Sequence, residues 1–300
     1  MFAIIGVVVV IGAVMGGYLM EHGNLKVLMQ PAELVIIGGA AFGTLFIANP
    51  LPVVMAIFKG IMAPLKPSRF NQKSYLELLR MLNEVFAFAR KNGTGQLEVH
   101  IEDPGKSAIF SKYAIIAKDH HALRFVCDSL RMSVAGGMAP YDLDSMMELD
   151  IEIHHHELGI PVGALSSVAD ALPGLGIVAA VLGVVITMGS LGGPPEEIGH
   201  KVGAALVGTF LGILLCYGFI GPLAAHMTKL NDNESQFYQV LRVGVMSFIR
   251  GTPPIMCAEF ARRAIPHECR PTFQEMEAAC KGKGPPAAGG SAPEAPPQAA

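Results

Sequence analysis

Residues 171–185, ALPGLGIVAAVLGVV, decide the fold of this chain because they combine apolar side chains with a proline and glycines and carry no charge. They belong to a longer uncharged run over 171–195, and comparable runs cover 1–20, 34–58 and 202–228. A helix needs about 20 apolar residues to cross a bilayer. The sequence therefore predicts four transmembrane helices.

The composition agrees with a membrane protein. Of the 300 residues 51% are hydrophobic and 16% are charged, with a mean hydropathy of +0.45. The net charge of −3 argues against a nucleic-acid partner, which calls for a basic surface. The five cysteines form no CxxC pair, so free and reduced thiols are the simplest interpretation.

Lysine and arginine predict the orientation, because cytoplasmic loops of membrane proteins are enriched in them. The links at 21–33 and 196–201 hold one basic residue each, Lys26 and Lys201, and the remaining basic residues lie in 59–166 or after 228. Both termini and the middle segment are therefore predicted to be cytoplasmic. The protein is expected to be a multi-pass protein of the bacterial inner membrane, in contact with lipid.

The predicted fold is an all-α membrane protein with a helical cytoplasmic domain inserted between the second and third transmembrane helices. Within that domain, residues 74–93 show helical spacing of apolar residues, with Ser74 as a plausible N-cap and Gly93 as the end. The predicted segments are 1–58 for the first two spans, 59–166 for the cytoplasmic domain, 167–228 for the last two spans, 229–281 for a cytoplasmic segment and 282–300 for a disordered Pro/Ala/Gly-rich tail.

Small residues recur four positions apart in all four spans, and such pairs allow helices to approach closely in lipid. The pairs are Gly12/Gly16, Gly39/Gly43, Ala179/Gly183 and Gly208/Gly212. They predict a packed bundle and are compatible with a homo-oligomer.

Two prolines interrupt the last two spans. Pro173 lies near the cytoplasmic start of the third span, and Pro222 lies near the cytoplasmic end of the fourth. Each removes one backbone hydrogen bond, which a membrane helix tolerates when neighbours or water satisfy the freed carbonyl. Because adjacent helices are antiparallel, we expect the two prolines at similar depth, in a hinged and hydrated layer.

The predicted cores of the spans contain no Asp, Glu, Lys or Arg. Thr209 is the deepest polar residue of the fourth span, and Asp170 lies at the membrane edge, where helix N-capping explains it adequately. A proton or sodium pathway normally needs a carboxylate in the membrane. If this bundle conducts ions, the titrating carboxylate is expected to belong to a partner chain.

This pattern, with SVADALPGLGIVAAVLGVV at 167–185 and KVGAALVGTFLGILLCYGFIGPLAAHM at 201–227, resembles the MotA-type stator family of flagellar motors. The resemblance extends to RPTFQEME at 270–277 and covers all of the chain except the tail. It implies a stator subunit that forms a homo-oligomeric ring around a MotB-like single-span partner carrying the essential aspartate. It also implies that ion flow drives torque on a FliG-like rotor protein.

The resemblance also implies roles for individual residues. Pro173 and Pro222 match the two functional prolines of the family, and Arg90 and Glu98 match its rotor-facing charges. From the residues alone, Arg90 in the last turn of one helix and Glu98 in the first turn of the next fit the helix dipoles equally well. Tyr217 joins Asp170, Thr209 and Ala180 as a candidate for the ion pathway.

The coupling ion is expected to be the proton, with no other cofactor. In sodium-driven relatives a threonine occupies the position seven residues after the third-span proline, whereas this chain has Ala180 there. The hydroxyl of Thr209 supplies one oxygen ligand, whereas sodium needs several.

Other functions fit the sequence less well. An ExbB/TolQ-like energy-transducing channel subunit is the main alternative, although such chains usually have three spans in a different order. A solute permease would call for more polar groups at mid-membrane. For an enzyme we find no acid/base or nucleophile constellation, and His154–His156 are predicted to lie on exposed helix surface and to bind no metal.

Overall fold

The computed structural model of the chain describes residues 2–63, 69–136, 138–189 and 192–282, apart from the side chain of Phe2. The predicted disordered tail, beyond Gly282, lies outside these residues. The α-helices, in chain order, are α1 (Phe2–Met20), α2 (Leu25–Leu28), α3 (Pro31–Ala48), α4 (Leu51–Ile61), α5 (Gln72–Asn92), α6 (Thr94–Glu102), α7 (Ala114–Ala117), α8 (His120–Ala135), α9 (Pro140–Met188), α10 (Pro195–Ile213), α11 (Gly221–Ile249), α12 (Pro254–Ala264) and α13 (Phe273–Cys280).

The described part of the chain is all helical, with no strand, as predicted. Four helical segments in it are long and apolar enough to cross a membrane, namely Ala3–Met20, Leu25–Ala48, Pro140–Met188 and Pro195–Ile249. The last two are 49 and 55 residues long, so the helices extend well beyond the uncharged runs of the sequence.

The uncharged run over 34–58, predicted as the second span, does not coincide with one helix. Pro31 begins α3, so Glu33 lies inside the helix, and the helix ends at Ala48. Asn49 is extended, with φ −132° and ψ 142°, because the ring of a following proline disfavours the helical conformation. Pro50 then caps a separate helix, α4.

The chain divides into two compact units. The first comprises residues 1–68 and 152–234, and the second comprises residues 69–151 and 235–300. The long helices α9 and α11 each contribute residues to both units. The predicted segment boundaries at 59, 167 and 229 are assignments relative to a membrane, and they stay predictions.

The second unit has a core of buried side chains from α5, α8, α12 and the adjoining parts of α9 and α11. The N-cap of α5 is Asn71 and not Ser74 as predicted. The side chain of Asn71 accepts a hydrogen bond from the Ser74 backbone N–H at 3.1 Å, three residues into the turn. The predicted end at Gly93 is confirmed, since its φ of +88° is a conformation that glycine adopts readily.

All five cysteines are free thiols. In the second unit, burial raises the pKa of Cys127 to about 12 and those of Cys257 and Cys280 to about 11. These thiols therefore stay protonated at neutral pH, which keeps them weak nucleophiles.

Candidate functional site

The helices α9 and α10 cross with their backbones in contact. A Cβ atom placed on Gly212 would lie 2.5 Å from the Leu172 carbonyl oxygen and 2.9 Å from Gly176 Cα. A Cβ atom placed on Gly176 would lie 2.8 Å from the Gly208 carbonyl oxygen. Glycine is required at these positions because backbone atoms, which cannot rotate away, occupy the space of a side chain.

The predicted small-residue pairs divide into two groups. Ala179/Gly183 and Gly208/Gly212 are confirmed as packing pairs, since a Cβ on Gly183 would lie 2.7 Å from Ala205 Cβ and one on Gly208 would lie 3.1 Å from Ala179 Cβ. The pairs in α1 and α3 are different. A Cβ placed on any of Gly12, Gly16, Gly39 and Gly43 would meet nothing within 4 Å.

The crossing brings three predicted site residues together. A Cβ on Gly208 would lie 3.2 Å from the Ala180 backbone nitrogen, and one on Gly176 would lie 3.3 Å from Thr209 Cα. Pro173 directly follows Leu172, the residue whose carbonyl faces Gly212. We call the region around Gly176, Gly208 and Gly212 the glycine crossing.

Pro222 lies at a distortion of the helix that we did not predict. Residues Leu214–Ile220 form a π-helical segment between α10 and α11, and the Gly221 N–H donates to the Cys216 carbonyl five residues back. Pro222 has no N–H to offer to the carbonyl of Gly218, four residues back, so a wider turn at this point is a local adjustment to the proline.

The two prolines do not lie at matched depth, contrary to our expectation. The glycine crossing sets Gly212 level with Leu172, next to Pro173. Pro222 follows Gly212 by ten residues, which place it more than one helical turn further along. The register of the two helices is fixed by the glycines and not by the prolines.

Asp170 and Tyr217 lie outside the glycine crossing. Asp170 is an exposed residue in the interior of α9, so the prediction that it caps a helix is wrong, because the helix continues through Pro161 and Pro173 from Pro140. The Tyr217 side chain lies in the π-helical segment and is 73% exposed.

Arg90 and Glu98 are exposed residues of the second unit. Arg90 lies in the last turn of α5, as predicted, where the helix dipole favours a cation. Glu98 was predicted in the first turn of α6, and this is wrong by one residue. It is the fifth residue of the helix, and the first turn holds no acidic residue. The glycine between the two helices, Gly93, separates them by a sharp turn.

The three consecutive histidines differ in their surroundings. His155 and His156 are exposed, as predicted, whereas His154 is half-buried, with Nε2 3.3 Å from a Glu234 carboxylate oxygen. His155 lies 3.9 Å from Asp232. Among the described residues, no group of three or more His, Cys, Asp or Glu side chains could hold a metal ion.

Sequence reasoning missed Glu33. Its side chain is buried at 7% exposure beside the glycine crossing, where a Cβ on Gly208 would lie 2.5 Å from Oε2. Two helix-start signals were available in the sequence, namely a proline at the first helical position and an acidic residue in the first turn. These signals place the start of α3 at Pro31, before the uncharged run begins at residue 34. Glu33 therefore lies inside the helix.

Two family models match most of the chain. Residues 4–93 match the model described as Motility protein A N-terminal, and residues 117–239 match the MotA/TolQ/ExbB proton channel family. The second match contains the glycine crossing and both prolines.

Curated relatives match along nearly the whole chain. Motility protein A of Salmonella typhimurium and that of Escherichia coli are each 39% identical over 277 residues, covering 92% of this chain and 94% of the relative. Chemotaxis protein LafT of Vibrio parahaemolyticus is 37% identical over 273 residues, which cover 91% and 96% of the two chains.

Solved structures share the fold. The C. jejuni MotAB structure aligns with a TM-score of 0.72 at 18% identity, covering 89% of this chain and 96% of that one. The flagellar MotAB stator complex from Bacillus subtilis aligns with a TM-score of 0.69 at 23% identity, covering 86% and 92%. From the curated relatives, which cover it almost completely, the chain belongs to the motility protein A family.

Proposed function

We propose that this chain is a stator subunit of the bacterial flagellar motor that works with a MotB-like single-span partner to convert ion flow into torque. The observation that carries the proposal is the 39% identity to motility proteins A over 92% of the chain. The match of residues 4–93 to the motility-specific N-terminal model favours this function over an ExbB/TolQ-like subunit.

The glycine crossing supports a role in ion-coupled motion. Backbone contact holds α9 and α10 in one register, while Pro173 removes a backbone hydrogen bond at the edge of this contact and Pro222 removes one further along the helix. A fixed crossing flanked by loosened turns is suited to small helix movements that follow the protonation of a nearby group.

The arrangement in the membrane follows from the same proposal. Four spans cross the inner membrane, and both termini and the second unit face the cytoplasm. The segments 21–33 and 196–201, the second of which lies in the first turns of α10, face outward. Several copies form a ring around the partner, and the open small-residue faces of α1 and α3 are available for contacts with other chains or lipid.

The coupling ion is expected to be the proton. Ala180 places a methyl group at the crossing where sodium-driven relatives of the family carry a threonine, which leaves Thr209 as the hydroxyl beside it. Cells that depend on this chain and its partner should therefore swim at normal speed in potassium buffer without sodium, and should stop when a protonophore is added. Motility that collapses without sodium and survives the protonophore would overturn the proton assignment.

Arg90 and Glu98 are expected to act on the rotor through their charge. The double reversal Arg90→Glu with Glu98→Lys should weaken rotation or stator recruitment, with partial rescue by compensating reversals on a FliG-like rotor. Each exposed contact is worth only about 0.2–1 kcal/mol and is screened by salt, so the single reversals should be mild.

A matched control reverses two other exposed charges of the second unit, Lys118→Glu with Glu268→Lys, and leaves the net charge equally unchanged. It should swim normally. A fully motile Arg90/Glu98 double reversal would remove this pair from the mechanism.

A further inference from the structure

Glu33 places a carboxylate between two helices that have glycine at the point of contact. Its Oε1 would lie 3.6 Å from a Cβ on Gly183 of α9, and its Oε2 would lie 2.5 Å from a Cβ on Gly208 of α10. The carboxylate therefore occupies the space that a side chain at Gly208 would fill, and it lies in van der Waals range of one at Gly183. Gly208 serves two purposes, since it admits the carboxylate and also the backbone of α9.

One of the two oxygens of the Glu33 carboxylate has no hydrogen-bond partner among the described residues. This oxygen, Oε2, is buried. The side chains beside it include the methyl groups of Ala179 and Ala205. The Thr187 hydroxyl donates to the Gly183 carbonyl at 2.8 Å.

The helices α10 and α2 hold one lysine each. On α10, Lys201 lies one turn before Ala205 and pairs with Glu197 at 2.8 Å. On α2, Lys26 is exposed. Residues 171–189 of α9 and the remainder of α3 after Glu33 carry no charge.

An ionised carboxylate in such surroundings is costly, and its charge can be removed by binding a proton. The protonated acid is neutral, and it can donate one hydrogen bond where the carboxylate can only accept. The chemistry required is the reversible step in which the carboxylate takes up one proton to form a carboxylic acid, with no other bond made or broken.

We propose that Glu33 is a reversible proton-binding site of this chain, located at the glycine crossing and used during ion transport. The inference rests on the proposed function, because it takes the transported ion to be the proton. Glu33 follows the outward link in that arrangement, so it binds protons arriving from outside before they move deeper into the bundle. Proton occupancy alters the charge at the contact of α9 and α10 and so couples transport to helix movement.

The first test uses the wild-type full chain with its partner in lipid vesicles. A hydrophobic carbodiimide adds to protonated buried carboxyl groups, and mass spectrometry locates the adduct. We expect labelling of Glu33 that decreases as the pH is raised, and none of the exposed Glu196. The absence of labelling at Glu33 at every pH would overturn the proposal.

The second test compares Glu33→Gln with Glu33→Asp, and takes Glu196→Gln as the control. One component of the infrared band of protonated carboxyl groups should disappear in Glu33→Gln, shift in Glu33→Asp and persist in the control. Proton uptake should fall and lose its dependence on external pH in Glu33→Gln alone. Wild-type uptake and an unchanged band in Glu33→Gln would contradict the inference, as would a Glu33 that stays ionised throughout the titration.

The outcomes separate this inference from the proposed function. If wild-type vesicles containing the partner take up no protons, the proton-driven function fails, whatever the infrared band shows. If wild-type uptake is robust and Glu33→Gln matches it, the function stands and Glu33 is removed from the pathway. If Glu33→Gln does not assemble, the carbodiimide experiment on the wild-type chain still decides whether Glu33 binds a proton.

Discussion

Replacing Gly212 by alanine is expected to abolish swimming and to remove most of the folded chain from the membrane. The new methyl group would lie 2.5 Å from the Leu172 carbonyl oxygen and 2.9 Å from Gly176 Cα. Both are backbone atoms, so no side-chain rotation relieves the clash and the helices must separate. Overpacking a well-packed core costs about 1–3 kcal/mol, and backbone contact belongs at or above the upper end.

The matched control is Gly203→Ala in the same helix, where the new methyl group would meet nothing within 4 Å. Both variants gain the same helix propensity, about 1 kcal/mol in favour of alanine, so the difference between them isolates the contact. Immunoblots of membrane fractions and swimming in soft agar measure the two effects. Normal levels and motility of Gly212→Ala would show that α9 and α10 do not cross as described.

Pro222→Ala is expected to leave membrane levels close to normal and to remove most of the torque. Alanine restores an N–H that can donate to the Gly218 carbonyl, which favours regular α-helix over the π-helical turn of Leu214–Ile220. The helix then stiffens where the proposed function requires it to yield. Rotation of tethered cells gives the torque, and immunoblots give the level of protein.

Pro52→Ala is the control for this change. Pro52 lies in the first turn of α4, where a backbone N–H has no partner within the helix and a proline removes nothing. Its replacement should leave rotation unchanged. A proportional loss of protein and torque in Pro222→Ala would instead assign Pro222 a purely structural role.

Some features that carry a local signal were predicted correctly. Gly93 ends α5 because glycine readily adopts a positive φ, and this can be read from a single position. The small-residue pairs were also visible, but the sequence does not distinguish Gly208/Gly212 from Gly12/Gly16. Only the fold decides which pair meets another helix within the chain.

The features that depend on long-range packing were missed or misplaced. The depth of Pro222 relative to Pro173 follows from the register of the glycine crossing, which no local pattern encodes. Glu33 was assigned to the link 21–33 because the uncharged run begins directly after it. Pro31, however, marks an earlier helix start. The π-helical segment was missed because its wider hydrogen-bonding pattern has no compositional signature.

The buried thiols of the second unit react slowly, so a cysteine introduced at an exposed position can be labelled selectively. Cys127 and Cys257 are buried, and the raised pKa of each leaves little thiolate to react with a maleimide at neutral pH. Cys269, which is only half-buried, is the first native cysteine to replace. A Lys118→Cys variant would then accept a fluorophore on an exposed position directly after α7, and site-selective spectroscopy of a nearly unmodified protein becomes practical.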